Sequence, residues 1–139
     1  MTPDKKISFL TTALLFVLII FSTMNLMSCG DNNIPLISAI TPGSVTISVS
    51  SHALLSDTGV TISGSNFGSS QGSQGQVYFD NVAVTTVASW ADTTLVLSST
   101  PIVPNASALT TSGTSYTANV YVSANGLASN IVSFVYNGT

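Results

Sequence analysis

Hydrophobic positions are distributed in two different ways along this chain. Over residues 7–27 they run almost without interruption, with Leu14-Leu15-Phe16-Val17-Leu18-Ile19-Ile20-Phe21 at the centre. From Pro35 onward they fall in short runs of β-branched and aromatic residues, often at alternate positions, broken by Gly, Pro, Asn, Asp and Ser. Successive side chains of a strand point to opposite faces, so a period of two collects one apolar set on a buried face. The pattern predicts strands over 36–40, 44–49, 59–64, 76–80, 82–87, 94–98, 116–122 and 131–136. Alternation assigns Val60, Ile62 and Gly64, Val77 and Phe79, Val120 and Val122, and Val132, Phe134 and Tyr136 to the core. Pro42-Gly43, Ser65-Asn66-Phe67-Gly68, Gly72-Ser73-Gln74-Gly75, the stretch 101–104 and Asn125-Gly126 supply the turns. Nothing after Cys29 has a helical period, which disfavours crossover helices and a parallel sheet. The expected fold is all-β, a two-sheet β-sandwich in which Phe67 plugs one end.

The uninterrupted apolar block has a different logic. Lys5 and Lys6 precede it and Leu26-Met27-Ser28-Cys29 closes it. A positive start, an apolar middle and a small residue before the cut make a secretory signal. The closing four residues resemble the lipobox of bacterial lipoproteins, with Leu at −3, a small residue at −1 and Cys at +1; Met27 at −2 departs from the usual Ala or Ser. The resemblance implies a cleaved signal over 1–28, a Cys29 carrying diacylglycerol and palmitate-type acyl chains, and a short tether over 29–34. Cys29 is the single cysteine, so a disulfide has no second thiol and a metal site lacks its other soft ligands. The alternative is an uncleaved transmembrane helix, since residues 7–27 are long enough to span a bilayer. Thr23, Asn25 and Ser28 weaken that helix where a cleavage site belongs. Gly30, Asp31, Asn32 and Asn33 give the tether a reach of ~14 Å. The domain over 35–139 is therefore expected close to its membrane. Gly30 stands where an Asp holds some lipoproteins at the inner membrane, which points to the outer membrane or cell surface.

Charge then narrows the partners. The 139 residues carry a formal net charge of −3, and both lysines lie before the apolar block. From Cys29 onward there is no Lys, Arg or Glu, and the acids are Asp31, Asp57, Asp80 and Asp92. A nucleic-acid binder needs cations to displace phosphate counterions, and electrostatic attraction to anionic headgroups needs them too; both are excluded. A hydrophobic content of 45% with so little charge is opposite to the disordered signature.

The mature segment resembles an IPT/TIG domain, an immunoglobulin-like module of plexins, transcription factors and bacterial surface proteins. Pro35-Leu36-Ile37-Ser38-Ala39-Ile40-Thr41-Pro42-Gly43 is similar to the family's opening strand. Gly59-Val60-Thr61-Ile62-Ser63-Gly64-Ser65-Asn66-Phe67-Gly68 is similar to its most diagnostic segment. Val77-Tyr78-Phe79, Ser89-Trp90-Ala91-Asp92-Thr93-Thr94-Leu95, Pro101, Gly126, Ser129-Asn130 and Phe134-Val135-Tyr136 follow in the family's order. Asp57-Thr58-Gly59 departs from the frequent Gly-Gly-Thr, and the loops around Gly72 and over 105–115 are long. The resemblance implies an immunoglobulin-like sandwich of the E-set type and says almost nothing about activity.

Catalytic chemistry is sparse. His52 is the only imidazole and stands between two predicted strands; no Gly-x-Ser-x-Gly elbow accompanies the many serines. Asp57, Asp80 with Asn81, and Asp92 are oxygen donors for calcium, but no Asp-x-Asp-x-Asp spacing occurs, and turn fixing competes. No metal or cofactor is assigned. Trp90 offers a sugar-stacking surface, against which stands packing at the sandwich edge, because the family pattern carries Trp there. Asn105-Ala106-Ser107 and Asn137-Gly138-Thr139 match the glycosylation acceptor pattern, read as chance in a bacterial lipoprotein.

The outer face of the sheet is the better candidate. Tyr78 and Tyr121 alternate away from the core, on strands that pair in an immunoglobulin-like topology. They are expected to form a cross-strand aromatic pair, extended by Ile131 and Val135, which either stabilises the sheet or marks an interaction site. The expectation is thus a non-catalytic, lipid-anchored envelope protein that binds a protein or glycan. The alternative is a structural subunit self-associating into a coat or filament, since no Lys guards its edge strands.

Overall fold

The computed structural model describes residues 33–139. The signal, Cys29, the alternative transmembrane helix and most of the tether lie outside the described residues. From Ile34 to Thr139 the chain forms one compact unit. Its strands are β1 (Leu36–Thr41), β2 (Ser44–Ser48), β3 (Ala53–Leu54), β4 (Val60–Ser65), β5 (Gln76–Phe79), β6 (Val82–Ala83), β7 (Val87–Ala91), β8 (Thr94–Leu97), β9 (Ser115–Ala124), β10 (Leu127–Ala128) and β11 (Val132–Gly138). A single helical turn, α1 (Pro104–Ser107), begins on a proline, whose missing N–H costs nothing at a first helical position.

Two sheets face each other. The smaller has the order β1-β4-β8-β7; the larger has the order β3-β2-β11-β9-β5-β6, with β10 paired on β9. All pairings are antiparallel except β11 with β2. The two sheets bury most of the predicted alternating set, Val60 and Ile62, Val77 and Phe79, Val120 and Val122, and Phe134 and Tyr136, while Gly64 and Val132 are half-buried. Leu95 and Leu97 from β8 complete this core, with Ile37 from β1 and Ile47 from β2. Phe134 stands edge-on to Phe79 at 5.3 Å and to Tyr136 at 5.2 Å. Such contacts add about 0.5–1.5 kcal/mol each beyond area burial. Phe67 is buried at one end, as expected. It fits because Gly64 lacks a side chain: a Cβ there would lie 2.5 Å from Phe67 Cζ and collide with the Leu36 carbonyl.

The predicted strand over 82–87 is corrected. Its first two residues are β6, its last residue opens β7, and the two belong to opposite sheets. Val84 is buried where the chain crosses over. Asp80 also leaves its predicted strand. It forms a two-residue turn with Asn81, both at positive φ (49° and 65°), and Phe79 then pairs with Val82. That backbone twist matches the twist of a hairpin, and Asn and Asp tolerate it. Asn125 and Gly126 repeat the arrangement at φ 53° and 79°, folding β10 back on β9.

Candidate functional site

The outer face of the larger sheet is built by the same alternation that fills the core. With Val77 and Phe79 inward on β5 and Val120 and Val122 inward on β9, Tyr78 and Tyr121 are directed outward. The register places them directly opposite each other. Their rings stack with centroids 4.7 Å apart and planes 13° from parallel. Tyr121 Oη donates to Asn81 Oδ1 at 3.3 Å, so the β5–β6 turn helps to hold the pair. Ala83 on β6 is the partner of Tyr78 on the other side. Continuing the β11–β9 register one step past Val132 and Val120 brings Ile131 opposite Tyr121. Ile131 is 65% exposed. One row across three strands is therefore Ala83, Tyr78, Tyr121 and Ile131.

Val135 shares the outward face but not the row. It is half-buried and pairs with Thr117, and the polar pair Ser133 and Asn119 intervenes. Four residues of strand separate it from Ile131, about 13 Å. The expected extension of the patch by Val135 is corrected in that respect.

Hydrogen bonds within the fold hold most of the other candidates. Asp80 Oδ1 accepts from the Asn119 N–H at 2.8 Å, and Oδ2 accepts from Tyr116 Oη at 2.5 Å. Asn105 Nδ2 donates to the same hydroxyl at 3.0 Å. The bond to Asp80 holds the Tyr116 proton and raises its pKa above the ordinary tyrosine value. Asp57 Oδ1 accepts from the N–H groups of Gly59 and Thr100 at 3.2 and 2.8 Å, and Asp92 Oδ1 accepts from Gly68 at 3.0 Å. Each carboxylate ties its loop to a segment distant in sequence, and no cluster of three potential metal ligands occurs among the described residues. His52 is exposed in its loop at φ 53°. Trp90 packs against the core and donates Nε1–H to the Phe67 carbonyl at 2.8 Å, which is the packing role.

Sequence reasoning did not single out Asn130. Its amide accepts from the Ile37 N–H at 2.7 Å and donates to the Ile37 carbonyl at 3.0 Å. It thereby takes the place of a strand partner on β1 and ties the two sheets together. A shallow cleft of about 370 Å³ lies at the same end, lined by the loop from Gly68 to Gly75 and by Asn125, with no charged group.

Residues 35–136 match the IPT/TIG domain family. Among solved structures, the chain is similar to gamma-CGTase from an alkalophilic Bacillus clarkii. The identity is 26% and the TM-score 0.52, over 77% of this chain and 13% of that one. It is also similar to a structural genomics protein of unknown function from Bacteroides thetaiotaomicron. Here the identity is 18% and the TM-score 0.51, over 78% of this chain and 22% of that one. The chain thus spans only a minor part of either protein, and the second likeness is one of fold. No curated protein matches the chain. The alternating core, the two-sheet topology and the family match agree: the chain belongs to the IPT/TIG domain family, as an immunoglobulin-like β-sandwich.

Proposed function

We propose that this TIG domain is a non-catalytic binding module, anchored through lipid on Cys29 to the bacterial envelope at the outer membrane or cell surface. It presents the outer face of its larger sheet to a protein or glycan partner. One observation carries the reading: the stacked Tyr78–Tyr121 pair lies on that face, in one row with the exposed Ile131. Aromatic side chains supply large contact area at small conformational cost, and an apolar row on a polar surface is a mark of an interaction site.

The self-association reading keeps one support. β7 is a five-residue edge strand of the smaller sheet, and it carries no Lys or Pro. Against it, the larger sheet ends in two-residue strands, β7 carries a register shift, and the Asn130 amide occupies the β1 edge at Ile37. Such features blunt strand addition.

The test is capture of a partner from envelope extract by the purified lipoprotein. Tyr78→Ala with Tyr121→Ala should abolish capture while leaving the fold intact, since interface aromatics carry about 2 kcal/mol or more each. Capture by the wild type should persist at high salt, because a surface without cations offers little charge to screen. Unchanged capture by the double variant would make the tyrosines scaffold.

A further inference from the structure

Large apolar side chains are exposed unevenly on this domain. Three of the seven, Ile34, Leu36 and Leu127, lie at the end where β1 begins; Ile131 belongs to the tyrosine row, and Leu55, Val82 and Ile102 lie elsewhere. Hydrogen bonds and the hairpin register place them at this end. Asn66 Nδ2 donates to the Ile34 carbonyl at 3.1 Å, next to Leu36. The two bonds of Asn130 to Ile37 set the connection between β10 and β11 beside the start of β1. Leu127 follows the Asn125–Gly126 turn at the tip of the β9–β10 hairpin. Ile34 and Leu36 are 56% and 51% exposed, on a domain whose other apolar side chains of this size are largely inside.

We infer that this end of the sandwich is a lipid-docking surface, which rests its apolar rim on the bilayer that holds the anchor. The occupant follows from the chain outside the structure. Only Gly30, Asp31, Asn32 and Asn33 separate Cys29 from Ile34, a reach of ~14 Å, so this end is the one held against the membrane. The inference rests on the reading of Cys29 as the lipidated residue. The contact is apolar, because no Lys or Arg follows Cys29. Asp92 accepts the Gly68 N–H at the edge of the adjoining cleft. The uncharged Ser, Gln and Asn side chains of the adjoining cleft suit the headgroup layer, where hydrogen bonding continues without net charge. Apolar side chains sunk to the headgroup–acyl boundary fix orientation, which a flexible lipid tether does not. Docked this way, the domain stands with the hairpin tip down, and the tyrosine row of the outer face stays above the lipid for a partner.

The experiment uses the full chain, processed in a lipoprotein-making bacterium, purified in detergent and reconstituted into phosphatidylcholine vesicles carrying a nitroxide on the acyl chain. A bimane label on Ala128→Cys reports the proposed rim, and one on Val82→Cys reports a position beside the β5–β6 turn, away from it. Quenching should be several-fold greater at position 128 than at 82. Changing Ile34, Leu36 and Leu127 together to Ser should erase the difference without moving the melting temperature or the protein's flotation with the vesicles. Equal quenching at both sites in a floating protein overturns the docking surface and leaves the anchor standing. Flotation by Cys29→Ala equal to wild type overturns the anchor, and the docking inference with it.

Discussion

Two tyrosine hydroxyls make this fold sensitive to alkali. Tyr136 is buried with its Oη donating to the Pro101 carbonyl, and burial pushes its pKa well above the ordinary tyrosine value. Tyr116 is raised as well, chiefly by its bond to Asp80. In the unfolded chain both ionise near pH ~10. A pKa raised by folding means that the folded state holds its protons longer. The associated stability is therefore present in full below pH ~10 and is lost as pH rises toward the folded-state values. Urea unfolding midpoints should stay level through neutral pH and fall above pH ~10, and Tyr136→Phe should flatten that fall. A midpoint indifferent to alkali would show that the Tyr136 hydroxyl is not held as described. The aspartates act at the same level: Asp57, Asp80 and Asp92 each accept a backbone N–H from a segment distant in sequence, bonds that form only once those segments meet.

At the scale of the element, the period-two alternation decides which strands are legible. β4, β5, β9 and β11 carry it over several residues and are buried as it dictates, except at Gly64 and Val132, which are half-buried. Phe134→Ala, which opens a hole against Phe79 and Tyr136 at the centre of the core, should cost about 3–5 kcal/mol. Calorimetric melting checks this, and an unchanged melting temperature would mean that β11 is in the opposite register. Other elements leave no such trace. β3, β6 and β10 are two residues long, too short for a period. β7 is mostly exposed and its register shifts between Val87 and Ser89, so its apolar residues do not alternate cleanly. The crossing after Ala83 is a tertiary event, driven by burying Val84, and the run 82–87 reads as one strand until the second sheet is known.

For the whole molecule, the candidate site was legible as far as facing, and no further. Alternation sent Tyr78 and Tyr121 outward, and the topology made them neighbours. Their stacking and the Tyr121–Asn81 bond follow from the register and from the turn at Asp80. Ile131 joins the row while Val135 falls two rungs away, a distinction that only the β11–β9 register makes. The exposed rim of Ile34, Leu36 and Leu127 was invisible in the sequence, because these residues sit among strand-forming neighbours and differ from them only in exposure. The central claim is that a partner covers the tyrosine row in the living envelope. Hydroxyl-radical footprinting tests it without knowing the partner, by comparing oxidation in intact cells with that of the purified protein. The account predicts that Tyr78 and Tyr121 are protected several-fold in cells while the exposed His52 is modified equally in both. Equal oxidation of the two tyrosines in cells and in isolation would contradict it.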